Sequence, residues 1–261
     1  MSSVPWQSPL RSRGSVAAAG TGAYLLATMR SPSELERAAM MSVARHFRAG
    51  LEHGADPRDA YLIIAGKRIA VEVAAPEAGL FRRSRPKAPR LRFDRVVVGL
   101  LGRLRVALAE RVPQRTTAVV TITAPIRLAS KTAAALEEMI GRLPRARSAR
   151  RPVRKTVNGN QVRVQIMRSG GTSRSPLAGF VHNRDSDPGV LFDLTRALLR
   201  IGSSGHSLRG FSGDRWLVIA AEQERAWIPT YRHACSELFV RADFQRIVLV
   251  SAAGDVSTLA A

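Results

Sequence analysis

The sequence predicts an α/β domain built as a central mixed β-sheet flanked by helices. Helical segments alternate with short, buried-type strands along the chain, and two strand pairs are joined by tight turns. With 261 residues, the chain is also long enough to bury a full core.

The first thirty residues stand apart from this pattern. They carry Arg11, Arg13 and Arg30, no acid, and an apolar patch from Val16 to Met29. Gly20 and Gly22 interrupt that patch and no convincing cleavage site follows, so a loose basic leader is expected over 1–30 rather than an export signal. Ser31-Pro32-Ser33-Glu34 then reads as a helix start, and the helix runs to about Phe47 with Leu35, Ala38, Ala39, Ser42, Val43 and His46 near one face. Gly50, Gly54 and Asp56-Pro57 mark a loop.

Tyr61 to Ala65 and Arg68 to Ala75 are strand-like runs joined by a turn at Gly66-Lys67, a hairpin that Pro76 ends. Residues 82 to 92 form a basic loop with Pro86 and Pro89. A patterned helix covers Phe93 to Val112, a Thr- and Val-rich strand covers Thr116 to Thr123, and Ser130 caps a helix reaching Leu143. Asn158-Gly159 is a hairpin turn between Thr156-Val157 and a strand ending at Met167. A helix over Val190 to Ile201, a strand over Trp216 to Ala221 and a short helix over Pro229 to Leu238 follow. The chain closes on a hairpin, Ile247 to Val250 and Val256 to Leu259, around Gly254-Asp255.

Charge is the strongest functional signal. There are 41 Lys and Arg against 20 Asp and Glu, a net of +21. Codon bias can raise arginine, but it does not remove acids, and a field of this size attracts polyanions. Nucleic acid is therefore the expected partner. The basic residues cluster twice: Arg82, Arg83, Arg85, Lys87, Arg90 and Arg92, then Arg145, Arg147, Arg150, Arg151, Arg154 and Lys155. Aromatic residues make up only 5% of the chain, which favours backbone contact with duplex DNA or structured RNA over base stacking. The alternatives are solvated loops that bind nothing specific, or basic loops that dock on an acidic protein. No run of about 18 apolar residues occurs, so no membrane partner is expected. The single cysteine, Cys235, excludes an internal disulfide or cysteine zinc site, reads as a core residue, and gives no redox argument against the cytoplasm. His182-Asn183-Arg184-Asp185 reads as a polar loop before a helix, and the five histidines lack zinc-protease spacing.

One motif carries mechanistic content. Asp59 begins the first hairpin strand, and on the second strand Arg68, Ala70, Glu72 and Ala74 share one face while Ile69, Val71 and Val73 share the other. An acid in so apolar a strand is costly to bury without a partner or metal. Helix, "Asp59-Ala60-Tyr61-Leu62", "Gly66-Lys67-Arg68-Ile69-Ala70-Val71-Glu72-Val73-Ala74", helix and strand together resemble the PD-(D/E)XK nuclease-like superfamily over about residues 33 to 143. The resemblance implies a restriction-endonuclease-like fold with a basic hairpin insertion: a core over 31–143, an Arg-rich connector over 144–176, and residues 177–261 completing the same domain. It also implies that Asp59 and Glu72, with Glu34 or Glu36 from the helix, would hold Mg²⁺ in an active member.

Ala74 stands where the family has its lysine, and it has no charge or proton to offer. Lys67 at the turn and Lys131 at a later helix start are the candidate replacements; Arg68 shares the face but is too basic to accept a proton. The plain structural roles are that Asp59 braces the turn after Pro57 and that Glu72 pairs with Arg68. The leading expectation is a nucleic-acid-binding module with a degenerate nuclease-like site. A metal-dependent nuclease with a relocated lysine and a partner-binding protein are the rivals. Oligomeric state is not legible.

Overall fold

The computed structural model describes residues 34–53, 60–75, 87–143, 152–168, 175–204, 211–221, 225–238 and 244–260. Helix α1 (Glu34–Phe47) places Glu34 and Glu36 in its first turn and Arg45 and His46 in its last, so both ends suit the helix dipole. The expected loop at Gly50 is instead the start of a strand, β1 (Gly50–His53), whose four residues are all exposed. Its lack of an apolar pattern hid it, because an edge strand is held by backbone pairing more than by burial. β2 (Ala60–Ile64) and β3 (Lys67–Ala74) form the expected hairpin. The turn is Ala65-Gly66 rather than Gly66-Lys67: both residues have positive φ, 48° and 78°, the left-handed pair that a two-residue hairpin turn requires.

Helix α2 (Arg95–Leu108) starts two residues later than expected, because Asp94 is its N-cap and accepts a bond from the Val97 N–H. β4 (Thr116–Thr123) matches its expectation. Helix α3 (Ala129–Gly141) begins without a side-chain cap at Leu128, so Ser130 lies within the first turn rather than capping it. β5 (Val153–Val157) and β6 (Asn160–Arg168) meet at the Asn158-Gly159 turn. β7 (Leu177–His182), a fully buried strand, has no counterpart in the sequence reading. α4 (Pro188–Ser204), β8 (Arg215–Ala220), α5 (Ile228–Glu237), β9 (Arg246–Val250) and β10 (Val256–Ala260) complete the chain.

The strands do not share a single central sheet. They form two mixed sheets: a six-stranded sheet A, ordered β1-β2-β3-β8-β9-β10, and a four-stranded sheet B, ordered β5-β6-β4-β7. The helix and strand that follow the hairpin in sequence, α2 and β4, therefore belong to sheet B. The open edge of β3 pairs in parallel with β8, while β4 is enclosed by antiparallel β6 and parallel β7. Long crossovers permit this, since a parallel pair needs a dozen or more intervening residues.

Three cores order the layers. Ala39, Met40, Val43 and Ala44 of α1 pack on the face of sheet A that carries Ile69, Val71, Trp216 and Val248. The other face of sheet A, with Leu217, Ile219 and Ile247, meets α4 and α5, which in turn meet Val119, Ala178 and Phe180 of sheet B. The far face of sheet B, with Ala118, Val120 and Val164, packs on α2 and α3. The layers run α1, sheet A, α4–α5, sheet B, α2–α3. Tyr231 and Cys235 sit in the middle layer, where burial pushes the Cys235 thiol up to about 12, consistent with a core residue.

β7 is an outer strand, yet it is buried. Its Gly179 N–H donates to the Glu237 carboxylate at 3.0 Å, and its carbonyl meets His233 Nε2 at 3.0 Å, which must carry the proton because a carbonyl only accepts. Glu237 also takes two 2.7 Å bonds from Arg105 of α2. Two side chains, one of them held by Arg105, thus occupy an edge that would otherwise invite another strand.

Candidate nucleic-acid interface

Glu72 lies on β3 in register with Leu217, partly buried, on the face that turns toward the α4–α5 layer. Asp59, which precedes β2, lies outside the described residues. Alternation sends Lys67 to the opposite face, about 17 Å along the strand from Glu72. Lys131 is on α3, beyond sheet B. Glu34 belongs to α1, which covers the face of sheet A away from Glu72. The structure brings none of these three beside Glu72.

Arg68 does not pair with Glu72 either. Its guanidinium meets Glu52 of β1 at 3.0 Å and stacks 3.8 Å over the Tyr61 ring. The register explains the choice, because Glu52, Tyr61 and Ala70 form one cross-strand row beside Arg68. Among the described residues no three His, Cys, Asp or Glu side chains cluster as a metal site. Ala70, Ala74 and Leu217, the sheet neighbours of Glu72, carry no oxygen ligand, so among the described residues Glu72 lacks the second acid that a Mg²⁺ site needs.

The basic residues behave differently. Arg82, Arg83 and Arg85 of the first cluster, and Arg145, Arg147, Arg150 and Arg151 of the second, lie outside the described residues. The remaining members converge on the carboxyl end of sheet B. Residues 90 to 92 run along β7 as an irregular extra strand: Arg92 N–H donates to the Val181 carbonyl at 2.8 Å, Asn183 N–H donates to that of Arg90 at 3.0 Å, and Leu91 bridges to His182. Lys87 is exposed just before this segment. On the other side, Arg154 and Lys155 lie on β5, the opposite edge strand. The ladder sets Arg154 against Arg163, Arg163 against Thr121 and Thr121 against Phe180, one step from the 91–92 pairing. From β5 to the 90–92 segment this end spans four strand spacings, about 19 Å.

At this end, beside the start of α2, lies a crevice of about 620 Å³, lined by Arg92, Asp94, Val96, Val97, Ala124, Pro125, Ile126, Asn183 and Arg184. It sits outside the carboxyl ends of the parallel strands β4 and β7. β4 leads to α3 on one face of the sheet and β7 leads to α4 on the other, and ligands enter open α/β sheets at such a switch point. Asn160, only 1% exposed, fixes the loop behind it: the side chain accepts from the Arg127 N–H at 2.7 Å and donates to the Arg127 carbonyl and Thr132 hydroxyl at 2.9 Å.

The cations here are loosely held. Arg92 meets Asp94 at 3.5 Å and Arg90 meets Asp185 at 3.8 Å, all four side chains about half exposed or more. Pairs of this kind are worth little and exchange readily for phosphate. His182 is the buried polar centre of this end. Its Nδ1–H donates to the Asn183 carbonyl at 2.8 Å, and burial pushes the imidazole below its ordinary value; Arg163 lowers it further, while the Asn183 bond, Asp187 and Asp185 oppose. His182, expected in a polar loop, is instead the buried last residue of β7, and Arg163 gave no sequence signal of its own. The missed signal was the run Leu177–His182 itself, a six-residue apolar strand bounded by Pro176 and a polar loop.

Comparison of the chain with family models, characterised proteins and solved structures finds no match.

Proposed function

We propose that this protein binds nucleic acid across the carboxyl end of sheet B. One observation carries the reading: strand register brings Arg154 and Arg163 on one side of sheet B and Arg90 and Arg92 along its other edge to the same end of the sheet, where Arg92 and Arg184 line a crevice. Arginines with weak, solvent-facing acid partners suit phosphate contact, and the scarcity of aromatics around them favours backbone contact with a duplex. Spread over about 19 Å, the contacts cover about five to six base pairs.

A nuclease-like fold with a degenerate site is the second part of the reading. Helix α1, the β2–β3 hairpin and Glu72 on its second strand stand in the order that the superfamily resemblance implies, and the basic β5–β6 hairpin is the insertion. Ala74 in the lysine position favours binding without cleavage.

The test is fluorescence anisotropy with a labelled duplex over a salt series, beside plasmid and structured RNA incubated with Mg²⁺ or Mn²⁺ and with chelator. Binding with a steep salt slope and no cleavage is the expected result. Metal-dependent cleavage lost in Glu72→Ala would replace the binding module with the enzyme. Absence of any shift would point to a protein partner.

A further inference from the structure

Arg154 and Arg163 stand directly opposite each other on neighbouring antiparallel strands, on the face of sheet B that turns toward α4. Their Cβ atoms are therefore about 5 Å apart, and like charges in that position destabilise a sheet. Neither guanidinium has an acid within ion-pair distance among the described residues. The contrast on the same face is Arg196, which holds Asp193 at 2.7 Å. Asp187 is the acid whose field reaches Arg163, but its Oδ1 accepts the Gly189 N–H at 2.8 Å at the start of α4. Burial, and then Arg154, disfavour the charged form of Arg163.

The next residue in that row is Thr121, 1% exposed, whose buried hydroxyl has no hydrogen-bond partner. Two unmatched cations and an unmatched hydroxyl thus follow one another across β5, β6 and β4. The guanidiniums only donate and the hydroxyl can donate as well as accept, so an acceptor carrying negative charge would satisfy all three. A tetrahedral oxyanion supplies several acceptor oxygens and cancels the repulsion between the arginines.

We propose that Arg154 and Arg163 form a clamp for a single phosphate group, which on the nucleic-acid reading above is one backbone phosphate of the bound strand. The clamp rests on that reading for its biological ligand but not for its chemistry. It is a device that trades stability of the free protein for anion affinity. Removing the arginines therefore strengthens the fold and weakens binding, a combination that a merely structural or merely exposed pair does not give.

The experiment uses the full chain and the variants Arg154→Thr, Arg163→Thr and both together, since Thr suits a strand. Arg37→Gln on the outer helix α1 is the control for loss of one charge. Thermal unfolding in phosphate-free buffer, with and without inorganic phosphate, is measured beside duplex binding over a salt series. Expected are a Tm in the double variant about 1–3 °C above the parent without phosphate, and loss of the phosphate-induced rise. Duplex affinity falls about tenfold, and the salt slope becomes shallower by about one. Duplex binding by the parent with an unchanged slope and phosphate response in the double variant overturns the clamp and leaves the nucleic-acid reading standing. A parent that binds no duplex, but whose phosphate response the double variant loses, overturns that reading and supports the clamp as an anion site. Absence of both overturns both.

Discussion

In sheet A the acid of the sequence motif, Glu72, stands between Ala70 and Ala74 on a face that packs toward the middle helices. In sheet B arginines gather at one end, Arg92 and Arg184 beside a crevice, with Arg90 and Arg92 in weak, solvent-facing acid pairs. The two sheets thus separate what the motif would have joined. Anchoring of a basic ligand-binding surface requires charges that solvent can reach, because cations buried with strong partners have nothing left for phosphate. A strand acid inside an apolar face is a different object, whose worth depends on what surrounds it. The difference teaches that the charge of this chain and the acid of its β2–β3 hairpin need not belong to one site.

The largest way to break the comparison is to detach sheet B from the middle layer. Glu237 is nearly buried and joins Arg105 of α2, the Gly179 N–H of β7 and its own helix α5. Glu237→Ala leaves a half-buried guanidinium and an amide without an acceptor, and is expected to cost about 3–5 kcal/mol in urea unfolding. Glu237→Gln keeps an acceptor for Gly179 and loses less. A cost under about 1 kcal/mol for the alanine variant would show that packing alone secures the edge of β7.

Binding comes next. Replacing Arg92, Arg163 and Arg184 by Ala together is expected to weaken duplex binding about 100-fold, near 2.7 kcal/mol, and to flatten the salt slope by about three. Glu72→Ala is expected to leave affinity within about twofold, because one partly buried acid on another sheet adds little to the field that the phosphates meet. Equal losses from the two variants would place Glu72 in the binding surface and undo the separation.

Asn160→Ala tests whether the crevice has a fixed rear wall. It deletes bonds to both backbone groups of Arg127 and to Thr132, for an expected cost of about 1–3 kcal/mol, with faster proteolysis of the 124–128 loop. The smallest effect is one of pH. His182 is held below its ordinary value when folded, so the unfolded chain takes up protons there first. The stability from keeping this group neutral is fully present above about pH 6.5, and it falls as pH drops through that value toward the lower folded one. Unfolding midpoints from pH 7.5 to 5 should fall less steeply in His182→Gln than in the parent.

Much of the local structure was legible. The helix at Glu34 declared itself by its acidic first turn, the β5–β6 hairpin by Asn158-Gly159, and the closing hairpin by two short apolar runs around Gly254. β1 was missed because all four of its residues are exposed, and an edge strand need not alternate. β7 was missed because a fully buried strand shows no alternation either, and Gly179 weakens its strand character. Of the candidate site, the excess of arginine and its clustering were readable, whereas the pairing of Arg154 with Arg163 was not. The nine-residue separation between them becomes one cross-strand step only through the hairpin register.

By itself the sequence determined the α/β class, the principal helices, the hairpin turns and the basic character, since propensity, capping and formal charge act over a few residues. The tertiary structure decided that the strands form two sheets, that β3 pairs with β8 rather than with the strand nearest in sequence, and that Glu72 and the arginine row lie on different sheets. Those outcomes depend on which long-range partner covers each strand edge and each apolar face. Loop-closure entropy grows too slowly with length for sequence separation to choose among such partners, so the packing of the three cores made the choice.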